Sequence, residues 1–424
     1  MNNLGLPPAT SFRPLWLRIL MQSLHAAWKA GVLPPADMCP QRLRAMAEAE
    51  TGLSADSIDR DFFETQLAVL LQDLHGAARL SDFGRLVAHG SILKVMKERL
   101  WFEALLTAHP EIDAIELAPP IIVVGPMRSG STRMQRLLAS DPAHDALRLF
   151  EAQCPVPGPK VRAALMRGRT DPRIAQVRHA LRFVTAINPA IGHIHPTGPL
   201  EVDEELGLNE QSLSGALIEA QRRVPGFARH CEAVSQLPVY QRLKRLLKLR
   251  AWLNGSDPAR PLVLKTPQHM QDMDALLRVF PEAHYLFLHR EPVAVVASGA
   301  SLAWNQMVVQ SDDVDPHWVG AEWLHKTAHR MVVTARARER IAAGKQFDLH
   351  FDEVGQDWRH AVARVYAWMG RELRPDALRA MEAYVARAAA QHGFDRHRYR
   401  LEDYGLCAGG VRERLLPLDA MGAG

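Results

Sequence analysis

Apolar positions three and four apart dominate the first quarter of the chain. In Phe62-Phe63-Glu64-Thr65-Gln66-Leu67-Ala68-Val69-Leu70-Leu71 and on to Leu74 they recur at helical spacing, and residues 12–117 break into several such patterns. This predicts a helical N-terminal subdomain over residues 1–117, expected to cover the core or shape a pocket. At Pro119 the texture changes to Pro120-Ile121-Ile122-Val123-Val124-Gly125, a short unbroken apolar run that suits a strand buried on both faces of a parallel sheet. Ser131 to Ser140 then reads as a helix with Met134, Leu137 and Leu138 on one face, stopped by Asp141-Pro142. A second unit follows at Pro261-Leu262-Val263-Leu264-Lys265-Thr266, with a helical stretch to Phe280 and a strand over Ala283-His284-Tyr285-Leu286-Phe287-Leu288-His289. Strand, helix, strand implies a parallel crossover. Arg290-Glu291-Pro292 opens another helix, with Pro292 where the first turn tolerates it, and Phe347-Asp348-Leu349-His350-Phe351 reads as a last core strand.

The predicted class is α/β: a three-layer parallel sheet with a P-loop-like strand-loop-helix, helices on both faces and the helical N-terminal subdomain. The core spans residues 118–370. A helical insertion occupies about 155–260, broken by a turn-rich stretch from Asn188-Pro189 through His195-Pro196-Thr197-Gly198-Pro199, and 371–424 form a C-terminal helical cap. No internal repeat or low-complexity tract interrupts this plan.

With 424 residues and 47% hydrophobic content, the chain can bury a large core. Its 51 basic and 47 acidic residues nearly balance, so no dedicated nucleic-acid surface is implied. The first residues lack the apolar run of a signal peptide, and no later stretch reads as the roughly 20 apolar residues that span a bilayer. A cytoplasmic protein without stable membrane insertion is expected. Cys39, Cys154, Cys231 and Cys407 are too scattered for a disulfide framework or a Cys-X-X-Cys metal site and read as reduced structural thiols.

Chemistry concentrates at two places. Gly125-Pro126-Met127-Arg128-Ser129-Gly130-Ser131-Thr132 lies between a buried strand and its helix, where backbone N–H groups and the helix dipole converge on one concavity suited to a phosphate or phosphosulfate. The Gly-x4-Gly spacing is that of a nucleoside-triphosphate loop, but Ser131 stands where its Lys should follow, which weakens a kinase or ATPase reading. The positive charge sits inside the loop instead, on Arg128, whose planar guanidinium pairs two anionic oxygens at once. The second place is Arg290 at a strand end, with Ser298 eight residues on, about two turns into the next helix. Both would face one ligand, so the two places together suit a nucleotide phosphorylated at both ends of its ribose. Taken alone, Arg290 and Ser298 fit a surface ion pair and a solvated hydroxyl equally well.

In this order the two motifs resemble the sulfotransferase superfamily that uses 3′-phosphoadenosine-5′-phosphosulfate (PAPS). Pro126 to Thr132 resembles its 5′-phosphosulfate loop and Arg290-Glu291-Pro292 with Ser298 its 3′-phosphate motif. The likeness is nearer to bacterial and tyrosylprotein-type members than to cytosolic ones, in which a Lys usually stands at the place of Arg128. It implies a sulfuryl transfer from PAPS, leaving 3′,5′-phosphoadenosine, to a hydroxyl of a small-molecule, lipid or glycan acceptor, in line and without a metal. Arg128, Ser129, Gly130, Ser131, Thr132, Arg290 and Ser298 would hold the cofactor. Lys265, in Leu264-Lys265-Thr266-Pro267, is similar in place to a Lys that stabilises the transferring group, and Phe351 to a Tyr that approaches the adenine, with only stacking left to it. Two features depart: Pro267 stands where cytosolic members place a catalytic His, and the C-terminal Arg-Lys-Gly motif is absent, with Arg412 and Arg414 as basic residues nearby.

The reaction needs positive charge on the sulfonate and bridging oxygens and a group that takes the hydroxyl proton. Arg128, Lys265 and the loop amides supply the first. For the base, Glu151 comes first, because related bacterial and tyrosylprotein-type enzymes resemble one another in a Glu a little over twenty residues beyond the loop. His195 comes second, in a phrase leading to Asp203-Glu204-Glu205 that resembles a family stretch bordering the acceptor, with Glu204 and Glu205 expected there. An ordinary surface carboxylate at Glu151 and a helix-capping role for the acidic trio are the alternatives. His193 and His195 have zinc spacing but no third ligand, so no metal is expected. A nucleotide-dependent phosphotransferase and a non-catalytic nucleotide-binding scaffold remain as rival functions.

Overall fold

Four short strands carry the fold. β1 (Ile121–Val124), β2 (Val263–Lys265), β3 (His284–His289) and β4 (Gln346–His350) pair in parallel in the order β2-β1-β3-β4. β1 and β2 are buried throughout, β3 along its middle and β4 only at Leu349. The computed structural model describes residues 13–54, 57–194, 196–391 and 399–422. Val123 stands opposite Lys265 on one side and Leu286 on the other, and β4 continues the ladder from Tyr285↔Gln346 to His289↔His350.

Ahead of β1 run α1 (Leu15–Lys29), α2 (Pro40–Thr51), α3 (Arg60–His75) and α4 (Asp82–Ala108), and α5 (Ser131–Leu138) follows β1 directly. The stretch before β2 is helical, with α6 (Leu149–Gln153), α7 (Pro159–Met166), α8 (Pro172–Ile187), α9 (Ala190–Ile194), α10 (Leu206–Asn209), α11 (Ala216–Gln221), α12 (Pro225–Ala233) and α13 (Leu237–Asn254). α14 (Met273–Val279) crosses over β1 from β2 to β3, and α15 (Pro292–Gln310) and α16 (Pro316–Arg338) lead to β4. α17 (Phe351–Gln356), α18 (Trp358–Trp368), α19 (Pro375–Gln391) and α20 (Ala408–Gly422) end the chain.

Because strand side chains alternate, Val124, Tyr285 and Phe287 enter one core with Leu243, Leu276 and Ala337 of α13, α14 and α16. Val123, Leu286 and Leu288 enter the other with Met134 and Leu137 of α5 and Val362 of α18. The result is the expected three-layer α/β sheet. The N-terminal helices share their own core with residues 213–231, where Phe63, Leu67 and Leu70 meet Leu213, Ile218 and Phe227. α15, passed over in the sequence as a spanning segment, is long and apolar enough to cross a membrane, but 83% of that stretch is buried in the protein. Its small residues serve close packing: a Cβ on Gly299 would lie 2.7 Å from Trp323 Cδ1 of α16.

A buried ion cluster ties α3, α4 and α13 together. Asp59, at the N-terminus of α3, accepts from Arg99 Nη2 at 2.6 Å and from Arg242 Nε and Nη2 at 2.8 and 2.7 Å. These two guanidiniums hold its carboxyl well below the usual carboxylate range against the opposing effect of burial. Asp59→Asn leaves two buried cations facing a neutral amide, and an expected loss of about 1.5–3 kcal/mol is measurable by urea unfolding. The depressed folded pKa means that Asp59 contributes stability above its unfolded pKa, a contribution lost as pH falls towards the folded value. The wild-type advantage over Asn should therefore shrink on acidification.

Candidate active site

The turn after β1 is shaped by two left-handed residues. Arg128 has φ 70° and Gly130 φ 83°, so the loop turns sharply in a nest-like curve, with the Ser129 N–H donating to the Pro126 carbonyl at 3.2 Å, ahead of the first turn of α5, whose leading N–H groups have no intrahelical acceptors. For Arg128 this conformation is strained, a cost typical of functional turns. Gly130 has a second constraint: a Cβ there would lie 2.7 Å from Cδ2 of Phe351, whose ring covers the loop. Ser129 is buried and its Oγ finds no hydrogen-bond partner, a polar atom left for a ligand.

The loop brings the two predicted anion motifs into contact. Arg128 Nε donates to Ser298 Oγ at 3.1 Å and Nη1 to the carbonyl of Ile194 at 2.8 Å. Arg290 Nη1 donates to the carbonyl of Arg128, and its guanidinium lies 4.1 Å over the Phe351 ring. Among the described residues neither guanidinium has a carboxylate partner. Burial lowers the Arg128 pKa, and the like charge of Arg290 acts in the same direction. Two adjacent cations with only carbonyl, hydroxyl and ring neighbours form a site for an anion.

Lys265 supplies a third cation at the end of β2. Its Nζ donates to Thr132 Oγ1 at 3.0 Å and pairs with Glu204, while its backbone N–H donates to Glu205 Oε2 at 3.1 Å. Behind it runs a buried chain: Glu205 meets His269 Nε2 at 2.5 Å, and His269 Nδ1 lies 2.9 Å from the Tyr240 hydroxyl. Asp272, whose carboxyl burial raises to about 7, accepts from Gln268 at 2.8 Å nearby. Pro267 opens a 3₁₀ turn over Pro267–Met270, capped by Thr266, which turns His269 inward to Glu205. This chain fixes the backbone from which Lys265 projects.

Loop 125–132, Arg290, Ser298, Phe351, Lys265 and Glu204 are thus assembled in one place. Glu205 lies in the same region but is fully buried behind Lys265 rather than bordering an open pocket. Glu151 sits elsewhere: its Oε2 accepts the Arg148 N–H at 2.8 Å in a capping box of α6, and Asn254 at 2.6 Å and Arg250 at 3.1 Å take the rest. Among the described residues none of its partners belongs to loop 125–132. The reason is local, since a Glu three residues into a helix folds back on that helix's first N–H groups. His195 lies outside the described residues. Arg412 pairs with Glu291 at 3.3 Å, beside Arg290. Sequence reasoning missed Arg136, a buried cation on α5 whose Nε donates to the carbonyl of Val202 at 3.0 Å and ties the 196–203 segment to the loop helix. Among the described residues, no group of three or more His, Cys, Asp or Glu is arranged to hold a metal ion.

Residues 119–375 match the model of the sulfotransferase family. No curated protein matches the chain. The structure is similar to that of sulfotransferase STF1 from Mycobacterium tuberculosis H37Rv, with 28% identity, a TM-score of 0.76, and 89% of this chain and 98% of that one covered. It is also similar to sulfotransferase STF9 from Mycobacterium avium, with 25% identity, a TM-score of 0.77, and 91% and 97% covered. The family match falls on the stretch that carries the anion loop, Lys265 and Arg290, and with it the chain belongs to the sulfotransferase family.

Proposed function

We propose that this sulfotransferase takes its sulfuryl group from PAPS and delivers it, in line and without a metal, to a hydroxyl of a small-molecule, lipid or glycan acceptor. The observation that carries the reading is the pair Arg128 and Arg290, two adjacent guanidiniums without a carboxylate, one inside the loop nest and one at the end of β3. Each suits one phosphate of a nucleotide phosphorylated at both 3′ and 5′ positions. The orphaned Ser129 Oγ and the nest of N–H groups fit the 5′ end, and Ser298 with Arg290 fits the 3′ end. Phe351 brings an aromatic ring, with the Arg290 guanidinium over one face, beside them for contact with the base.

When bound, PAPS supplies the activated sulfur–oxygen bond. The chain's own residues do the rest: Arg128 and Lys265 place positive charge where negative charge grows, and the loop N–H groups hold the anion without reorganisation. Glu204 is the proposed base. It pairs with Lys265, which touches Thr132 at the loop, and this neighbourhood of a carboxylate and the loop cations supports a proton-accepting role.

Thermal denaturation tests the donor. 3′,5′-Phosphoadenosine should raise the melting temperature by mass action, more than Mg-ATP at equal concentration. A larger shift with Mg-ATP would return the loop to a phosphotransferase.

A further inference from the structure

The near balance of charge over the whole chain conceals a local segregation. Between residues 159 and 187, through α7 and α8, stand seven Lys and Arg and one acid, Asp171. That acid is spent on Arg173, with Arg173 Nη2 to Asp171 Oδ2 at 2.7 Å. Exposed Lys160, Arg167, Arg169, Arg178 and Arg182 have no ion-pair partner among the described residues. Residues 13–36, which include α1, contain no Asp or Glu at all.

The same surface is unusually apolar. On α1, Leu15 is 64% exposed, Ile19 54% and Leu20 50%, and Met166 at the end of α7 is 89% exposed. The two elements join: the Trp16 ring lies 5.9 Å from the ring of Phe183 on α8, and both are exposed. α1 is anchored from behind by Leu17, which packs with Phe83, Ile187 and Val309. α1 and α8, joined through this ring pair and continued along the chain by α7, therefore bring exposed large apolar side chains together with cations in segments whose only acid is Asp171. A nucleic acid would be served by the cations alone, whereas side chains such as Leu15, Ile19 and Met166 gain only from an apolar phase.

We propose that α1 together with α7 and α8 docks on the surface of an anionic lipid bilayer, the apolar side chains entering the headgroup boundary and the arginines pairing with lipid phosphates and carboxylates. Such docking lies on the surface and does not span it. The face is coupled to the anion site, since Ile191 of α9 packs in the α1–α8 cluster and the carbonyl of Ile194, at the end of α9, holds Arg128. The docking does not depend on which donor or acceptor the enzyme uses.

Vesicle co-sedimentation of the full chain tests it. The protein should pellet with phosphatidylcholine–phosphatidylserine vesicles at low salt, weakly with phosphatidylcholine alone, and less as salt rises. Arg178→Glu with Arg182→Glu should weaken the partition by about tenfold or more, and Ile19→Asp with Leu20→Asp should weaken it comparably. All four positions are exposed, and melting temperature together with 3′,5′-phosphoadenosine binding checks that the variants remain folded. No binding to the anionic vesicles would overturn the proposal. So would binding that survives both double variants, or binding lost only with the arginines and competed by duplex RNA, which would mark a purely electrostatic nucleic-acid surface.

Discussion

Glu204→Gln is expected to lower kcat by about 10²–10⁴-fold, the span that one positioned proton acceptor contributes, while leaving 3′,5′-phosphoadenosine binding unchanged. The amide keeps the shape and an oxygen for Lys265 but cannot take a proton. A purely structural role for Glu204, holding Lys265 in place, would also reduce kcat, so the readout must separate the two. Phenolic acceptors of rising acidity do so: the more acidic the hydroxyl, the less it needs a base, and the deficit of the Gln variant should shrink along the series. A deficit that stays constant along the series would reduce Glu204 to a positioning residue. Glu151→Gln is the comparison, expected to cost stability through Arg250 and the α6 cap and to spare turnover.

That contrast marks where the sequence stops being informative. β1, β2 and β3 are readable as short, mainly apolar runs ended by Gly or a charge, β4 (Gln346–His350) only through the alternation of Phe347 and Leu349 with polar residues, and all four fall within a residue or two of the expected runs. The anion loop was readable for the same reason, because its chemistry is local: Arg128, Gly130 and α5 are consecutive in the chain. Glu204 and Lys265 are 61 residues apart and meet only in the folded chain, so no spacing rule joins them. Glu151 stands a little over twenty residues beyond the loop along the chain, but the capping box that engages its carboxylate is a three-residue event that this distance does not reveal. The inward turn of His269 to Glu205 was equally hidden, although Pro267 and Thr266 supply the turn and cap that produce it. The basic, apolar face of α1 and α8 escaped because whole-chain charge averages over it.

The second large effect concerns the cofactor. Arg128→Ala combined with Arg290→Ala is expected to weaken 3′,5′-phosphoadenosine binding strongly by isothermal titration, with two independent charge-assisted contacts of about 1.5–3 kcal/mol each setting an upper bound of about 10²–10⁴-fold. Arg290→Ala alone should lose about 10- to 100-fold on the same basis. The two changes should not add. Arg290 donates to the carbonyl of Arg128, a residue held in a left-handed conformation, so removing Arg290 also releases the loop and takes part of the Arg128 contribution with it. Arg290→Lys retains the charge but loses the fork and the stack on Phe351, and should recover only part of the affinity. If Arg290→Ala bound the nucleotide as tightly as the wild type, the 3′-phosphate would have to be held elsewhere, and the contact between Arg128 and Ser298 would be a packing detail of the loop.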